Sequence, residues 1–268
     1  MTADRPVAGP VTADRPVPAP VPGPAADCPP VIADITPTAD QPATTESLVA
    51  GDSPAPVAVV FDNDGLLLDT EPCWTAAQAA LFRAHGQEFT LAAKHALVGT
   101  SPVTAAPILA RLLGQPDAGQ KLSADMYTRA LAEISAGAEP RPGALELVAR
   151  LRAAEMPIAV ASNAPRAHLL AGLRRVGLRH AFEVILGVDD VPRPKPAPDL
   201  YLAACERLSV SPVAAIALED SPPGVAAAQA ANMFVIGIPS VPGVVLAADL
   251  VVDSLTDVAV FRVLGLEP

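Results

Sequence analysis

The sequence predicts an α/β protein with a Rossmann-like parallel sheet core, an inserted α-helical cap subdomain and a disordered, Pro/Ala-rich N-terminal tail. Three observations carry that prediction. Short apolar runs bounded by turn residues, Val57 to Phe61, Pro157 to Ala161 and Ala214 to Leu218, have the length and composition of strands covered on both faces. Segments with apolar residues at helical spacing alternate with them, the order that builds βαβ units. Each run also stops on polar groups: Asp62-Asn63-Asp64, Ser162-Asn163 and Glu219-Asp220-Ser221. Ligands of open parallel sheets bind outside the carboxyl ends of the strands.

The elements follow in chain order. Residues 1–55 contain no Phe, Trp or Tyr and are crowded with Pro and Ala, so they bury too little apolar surface to offset their ordering entropy and are expected to be disordered. Within them Thr2-Ala3-Asp4-Arg5-Pro6-Val7 recurs as Thr12-Ala13-Asp14-Arg15-Pro16-Val17, too short a repeat for a solenoid. The segment reads as a dispensable tail, or as a polyproline-like docking segment through Pro16-Val17-Pro18-Ala19-Pro20. The core is expected at 56–70 and 141–268, with the cap at 71–140. In the cap, helices are expected from Glu71 to Gly86, from Val103 to Leu113 ahead of Gly114, and from Ser123 to Ala136 ahead of Gly137. After Arg141-Pro142-Gly143 the pattern gives helices Ala144 to Ala154, Ala167 to Val176, Leu200 to Leu208, Val225 to Ala231 and Asp257 to Leu264. Further strands are expected at Glu183 to Leu186, Met233 to Ile238 and Leu250 to Val252.

Two carboxylates two residues apart need a reason. If Asp62 and Asp64 face one pocket, their charges repel unless a cation lies between them or one keeps a proton. Lys195 sits in the loop Arg193-Pro194-Lys195-Pro196-Ala197-Pro198-Asp199 that opens a helix, so the strand ends and this loop supply acids, a hydroxyl and an ammonium. Phosphoryl transfer requires such a set: a carboxylate nucleophile, a second carboxylate for proton transfer, oxygen ligands for magnesium, and donors for the phosphate oxygens. Each residue also has a plainer role. Asp62 and Asp64 suit a strand end and turn, Ser162 suits a helix N-cap before Pro165, and Glu71 suits a helix start ahead of Pro72.

The run Asp62-Asn63-Asp64-Gly65-Leu66-Leu67-Leu68-Asp69-Thr70-Glu71, then Ser162, Lys195-Pro196 and Glu219-Asp220-Ser221, resembles in order the four motifs of the haloacid dehalogenase-like hydrolases. The subgroup it is similar to contains phosphoglycolate phosphatases, beta-phosphoglucomutases and sugar phosphatases, and the resemblance covers roughly residues 56 to 265. It implies Asp62 as nucleophile, Asp64 as general acid and base, Ser162 and Lys195 on the phosphate, and Mg2+ held by Asp220 beside Asp62 and the Asn63-Asp64 backbone. Glu219 would be a ligand through water or a neighbour. Asn163 and Trp74 are further substrate-binding candidates, although an aromatic on a helix stripe serves equally as core. In the mutase branch a histidine stands where Trp74 is found, and an arginine follows the glycine of the cap loop where Val98-Gly99-Thr100-Ser101-Pro102 has none. A bisphosphate intermediate needs that cation. The resemblance therefore implies a magnesium-dependent phosphatase of small phosphorylated metabolites, sugar phosphates above all. A phosphosugar mutase and a non-catalytic binding module are the alternatives.

Composition narrows the partners. A net charge of -11 and a pI near 4.7 oppose nucleic acid or an anionic membrane, which demand basic patches. Cys28, Cys73 and Cys205 are odd in number and widely spaced, so neither a disulfide framework nor a zinc site is expected. That cysteine pattern suits a reducing cytoplasm, neither a secretory signal pattern nor a long apolar span is read in the sequence, and the oligomeric state is left open with a monomer favoured.

Overall fold

The computed structural model describes residues 56–241 and 243–267. The expected disorder, repeat and docking segment of residues 1–55 lie outside the described residues. Strand β1 (Ala58–Phe61) carries the first apolar run and is central in a six-stranded sheet. A second, two-stranded ladder pairs β2 (Leu68–Asp69) antiparallel with β3 (Glu139–Pro140). The remaining strands are β4 (Ile158–Ala161), β5 (Val184–Leu186), β6 (Ala215–Glu219), β7 (Phe234–Gly237) and β8 (Leu250–Val251). The large sheet runs β5-β4-β1-β6-β7-β8 with every neighbouring pair parallel. The chain leaves β1 for β4 on one side and returns to β6 on the other, and the crevice at such a reversal is where doubly wound sheets bind ligands. Register brings the polar ends together: Phe61 is paired with Val160 on one side and Leu218 on the other, so Asp62, Ser162 and Asp220 leave the sheet at one edge.

Alternation along the strands separates two cores. Val59, Phe61, Ile158, Val160, Ile216 and Leu218 face one side with the helices α5 (Ala144–Ala153), α6 (Arg166–Arg175) and α9 (Val258–Val263). Ala58, Val60, Ala159, Ala161, Ala215 and Ala217 face the other, where the smaller side chains accept α7 (Asp199–Leu208) and α8 (Pro222–Ala230). Helix α8 starts before the expected Val225 because Ser221 caps it through the Gly224 amide and two prolines fill positions that need no amide hydrogen.

Between β2 and β3 the chain is helical: α1 (Glu71–Ala84), α2 (Leu91–Leu97), α3 (Pro102–Leu112) and α4 (Gly119–Gly137). Leu81, Phe82, Leu109, Leu122 and Met126 give this insert its own apolar core. Helix α2 was not expected, being too short at seven residues to show a period, and its only signal was Thr90, whose hydroxyl caps the Ala93 amide. Helix α4 begins a turn before Ser123. A Cβ at Gly119 would lie 2.6 Å from the Ala106 carbonyl oxygen, so this glycine lets α4 cross α3 closely. The β2-β3 ladder, also unforeseen at two residues per strand, joins the ends of the insert where it leaves and re-enters the core.

Candidate active site

Asp62 lies at the end of β1 with its carboxylate buried. Its Oδ1 accepts from Lys195 Nζ at 2.6 Å, and the same ammonium donates to Glu219 Oε1 at 2.5 Å and to the Ala161 carbonyl at 2.8 Å. All three donor protons of Lys195 are thereby used. The Tyr201 ring also lies 4.9 Å from the ammonium. Burial pulls the Lys195 ammonium down, but Asp62 and Glu219 more than reverse this and hold it above the ordinary lysine value.

Glu219 has no exposure at all, and its carboxylate is saturated by protein. Oε1 accepts from Lys195 and from Tyr201 Oη, while Oε2 accepts from the Asp220 amide and from the Ser221 amide and hydroxyl. A Cβ at Gly224 would sit 2.0 Å from the Glu219 carboxyl carbon, so the first turn of α8 packs directly on this acid. Asp220 points the other way, into the cavity, and its Oδ2 accepts from Ser240 Oγ at 2.5 Å. Burial first, and Glu219 next, push the Asp220 carboxyl up to about 7 against the opposing Ser240 hydrogen bond and Lys195. Asp62 is likewise raised by burial, with Lys195 lowering it and Glu219, Asp220 and Asp64 raising it.

Asp62, Glu219 and Asp220 each offer an oxygen within 4.8 Å of the others. Three buried carboxylates face one ammonium, so the charge does not balance without a cation or protons. A hard divalent cation fits an all-oxygen set of this kind. The backbone is shaped for the same purpose at Gly65, whose φ is +88° and whose Cβ would collide with Asp220 Oδ2 at 2.1 Å.

Asp64 is separate from that cluster. Its Oδ1 accepts from Thr70 Oγ1 at 2.6 Å and from Trp74 Nε1 at 3.3 Å, and its Oδ2 accepts from Ser162 Oγ at 3.2 Å. Its side chain is therefore not among the clustered carboxylates that could hold a metal. Ser162 does not cap α6, whose N-cap is Pro165 without a side-chain bond; its hydroxyl accepts instead from the Ala164 amide at 3.0 Å, a local turn. Asn163 braces the lysine loop, its Oδ1 accepting from the Lys195 amide at 2.8 Å and its Nδ2 donating to the Lys195 carbonyl at 3.2 Å. The same Nδ2 reaches the Gly99 carbonyl of the helical insert at 3.3 Å. Trp74 is half-buried rather than wholly core and borders the cavity with Glu71, Thr100 and Tyr127 from the insert. Glu71, expected only as a helix start, also pairs with Lys94 at 2.7 Å and so ties α1 to α2.

Sequence reasoning missed Thr70, Tyr201 and Ser240. Thr70 stood inside the first motif and Ser240 follows a strand end in Pro239-Ser240-Val241, both readable as hydroxyls near the crevice. Tyr201 gave no signal, because a tyrosine on a helix stripe looks like ordinary core.

Carboxylates, a buried lysine and a strand-end hydroxyl gathered at the switch point of a parallel sheet are the equipment of a hydrolase that works on phosphate esters. A description of the haloacid dehalogenase-like hydrolase family matches residues 57–232, and the chain belongs to that family. It is 31% identical over 176 residues to a phosphorylated carbohydrates phosphatase of Thermotoga maritima, covering 66% of this chain and 82% of that protein. It is also 31% identical over 204 residues to a bifunctional riboflavin kinase/FMN phosphatase of Arabidopsis thaliana, covering 75% of this chain and 54% of that protein; the chain thus spans about half the length of that relative. Among solved structures, CbbY of Rhodobacter sphaeroides in complex with phosphate superposes with a TM-score of 0.67 at 29% identity, covering 75% of this chain and 96% of that one. The enzyme class is phosphoric monoester hydrolase. Among the described residues no helix is long and apolar enough to cross a membrane.

Proposed function

We propose that the protein is a magnesium-dependent phosphatase of small phosphorylated metabolites, sugar phosphates in particular, working through a phosphoryl group carried on Asp62. The observation that carries this reading is the ion pair of Asp62 with the fully engaged Lys195 beside Asp220. Asp62 attacks phosphorus and the ester oxygen leaves with a proton from Asp64. Water then attacks the aspartyl-phosphate, giving its proton to Asp64, and inorganic phosphate departs. A carboxylate attacking a phosphate dianion meets strong repulsion, which Lys195 and the Ser162 hydroxyl help to offset. Mg2+ held by Asp62, Asp220 and the Asp64 main chain would supply the remaining positive charge. Glu219, saturated as it is, serves to hold Lys195 in place, with any role toward the metal through a neighbour or water.

The helices of residues 71–140 act in this reading as the cap that selects the substrate and excludes water. Among the described residues Lys195 is the only Lys or Arg bordering the cavity, which leaves no cation for a second phosphate and favours hydrolysis over mutase chemistry. The Thermotoga maritima relative named for phosphorylated carbohydrates supports a sugar phosphate.

The test is phosphate release from a panel of phosphorylated metabolites with Mg2+, with phosphorus NMR of beta-glucose 1-phosphate plus a trace of its 1,6-bisphosphate run alongside. Hexose monophosphates should give free phosphate. Efficient interconversion of the monophosphates without phosphate release would replace this reading with the mutase.

A further inference from the structure

Trp74 does not simply wall the cavity. Its indole N–H donates to Asp64 Oδ1, and its ring lies flat on the imidazole of His168, with centroids 5.8 Å apart and planes 4° from parallel. Tyr127 meets both rings edge-on, 5.1 Å from Trp74 and 5.6 Å from His168. The three rings come from different parts of the chain: Trp74 from α1 and Tyr127 from α4 of the insert, His168 from α6 of the sheet core. His168 Nε2 donates to the Tyr127 carbonyl at 2.7 Å, tying core to insert, while its Nδ1 is buried with no hydrogen-bond partner among the described residues. A buried nitrogen left unpaired costs free energy, so polar pairing alone does not explain the ring. Its flat face under the indole does. From Tyr127 the connection continues, since its hydroxyl donates to the Thr100 carbonyl at 2.7 Å and Thr100 borders the cavity. A path of contacts thus runs from Asp64 through Trp74, His168 and Tyr127 to the loop that borders the cavity.

We propose that Trp74 is a positioning residue for Asp64, held in place by the stacked His168 ring of the core and the edge-on Tyr127 ring of the insert. The inference rests on Asp64 being the acid/base group of the proposed phosphatase. A second hydrogen bond to Oδ1 comes from Thr70. Both of these donors belong to the start of α1, where Thr70 is the N-cap residue, while Ser162 of the core donates to Oδ2.

The experiment is a double-mutant cycle on the full chain, read as kcat and KM for an aryl phosphate with Mg2+ and as Tm. Trp74→Phe keeps a ring on His168 and removes the N–H. It should lower kcat about tenfold, the loss that one misplaced hydrogen bond produces, with KM and Tm nearly unchanged. In the Asp64→Asn background Trp74→Phe should cause no further loss, because its effect passes through Asp64. His168→Ala, which removes the support under the indole, should lower kcat in the same Asp64-dependent way. An unchanged kcat in Trp74→Phe, or an equal loss with and without Asp64, overturns the proposal. If Trp74→Phe does not fold, the same two outcomes are read from His168→Ala. Full activity of Asp64→Asn alone would instead sink the acid/base assignment on which the proposed function stands, and so separates the two failures.

Discussion

The two halves of the site are built differently. Asp62, Lys195, Glu219 and Asp220 come from strand ends and one loop of the sheet core, all buried, with Lys195 and Glu219 saturated by hydrogen bonds and Asp62 and Asp220 each accepting on one oxygen. Asp64 and its partners straddle the boundary: Thr70 precedes α1, Trp74 belongs to the insert, Ser162 to the core, and the carboxylate is only half-buried. The charged half is thus set by the register of a parallel sheet and has one arrangement. The half proposed for proton transfer depends on how the insert is seated. Nucleophile and metal site are therefore expected to be insensitive to cap changes, whereas acid/base alignment should respond to them.

Substitutions can break this contrast, and the largest effect belongs to the core half. Asp62→Asn removes the attacking oxygen and should abolish phosphate release altogether, with no covalent phosphoenzyme formed. Lys195→Met comes next. It leaves Asp62 and Glu219 buried without their cation, so both activity and fold should suffer, the latter by about 3–5 kcal/mol as breaking a buried pair generally does. Urea titration would expose a contradiction if the variant kept wild-type stability. Asp64→Asn should cost roughly 10² to 10⁴ in rate, the usual size of a proton-transfer contribution, while leaving stability close to wild type because its carboxylate is half-exposed. Ser240→Ala sharpens the metal side. Loss of its hydrogen bond to Asp220 should shift the Mg2+ concentration for half-maximal rate by up to about tenfold and leave the rate at saturating metal little changed.

The smallest expected effect is a pH dependence at the boundary. Burial holds the His168 imidazole below its ordinary value, with the Tyr127 carbonyl, Asp64 and Asp189 pulling the other way. A histidine whose folded pKa is lowered contributes its full stability above about pH 6.5; as the pH falls further the unfolded chain takes up a proton that the folded one resists, and stability is lost. Denaturant midpoints at pH 7.5 and 5.5 should therefore differ less in His168→Gln than in the wild type. An identical drop in both would show that the imidazole does not titrate against folding.

Legibility in the sequence followed the same division. Asp62, Lys195 and Asp220 were readable because each ends or opens a regular element whose apolar run announces it. What they do together follows from strand register, which the pattern of strands and helices already implied. The boundary half was poorly readable. The β2-β3 ladder and α2 are too short to show a period, and Ser162 was expected to cap a helix that in fact starts three residues after the residue it bonds would suggest, at Arg166. Trp74 could be read from spacing only as core or wall, since a hydrogen bond to a residue ten positions earlier depends on how the loop before α1 turns. His168 carried no signal at all, its partners lying 41 residues away at Tyr127 and in the insert beyond. Side chains that meet across the insert and the core have no shared period to reveal them.

The central claim is that Asp62 carries the phosphoryl group. Its most direct test is to mix the Asp64→Asn protein with an aryl phosphate and Mg2+, quench rapidly, digest, and locate the added phosphoryl group by mass spectrometry. The account predicts one phosphoryl group on the peptide containing Asp62, released by hydroxylamine and absent when Asp62 is also replaced by Asn. A phosphoryl group on Ser162, or one that persists in the Asp62→Asn background, would contradict it.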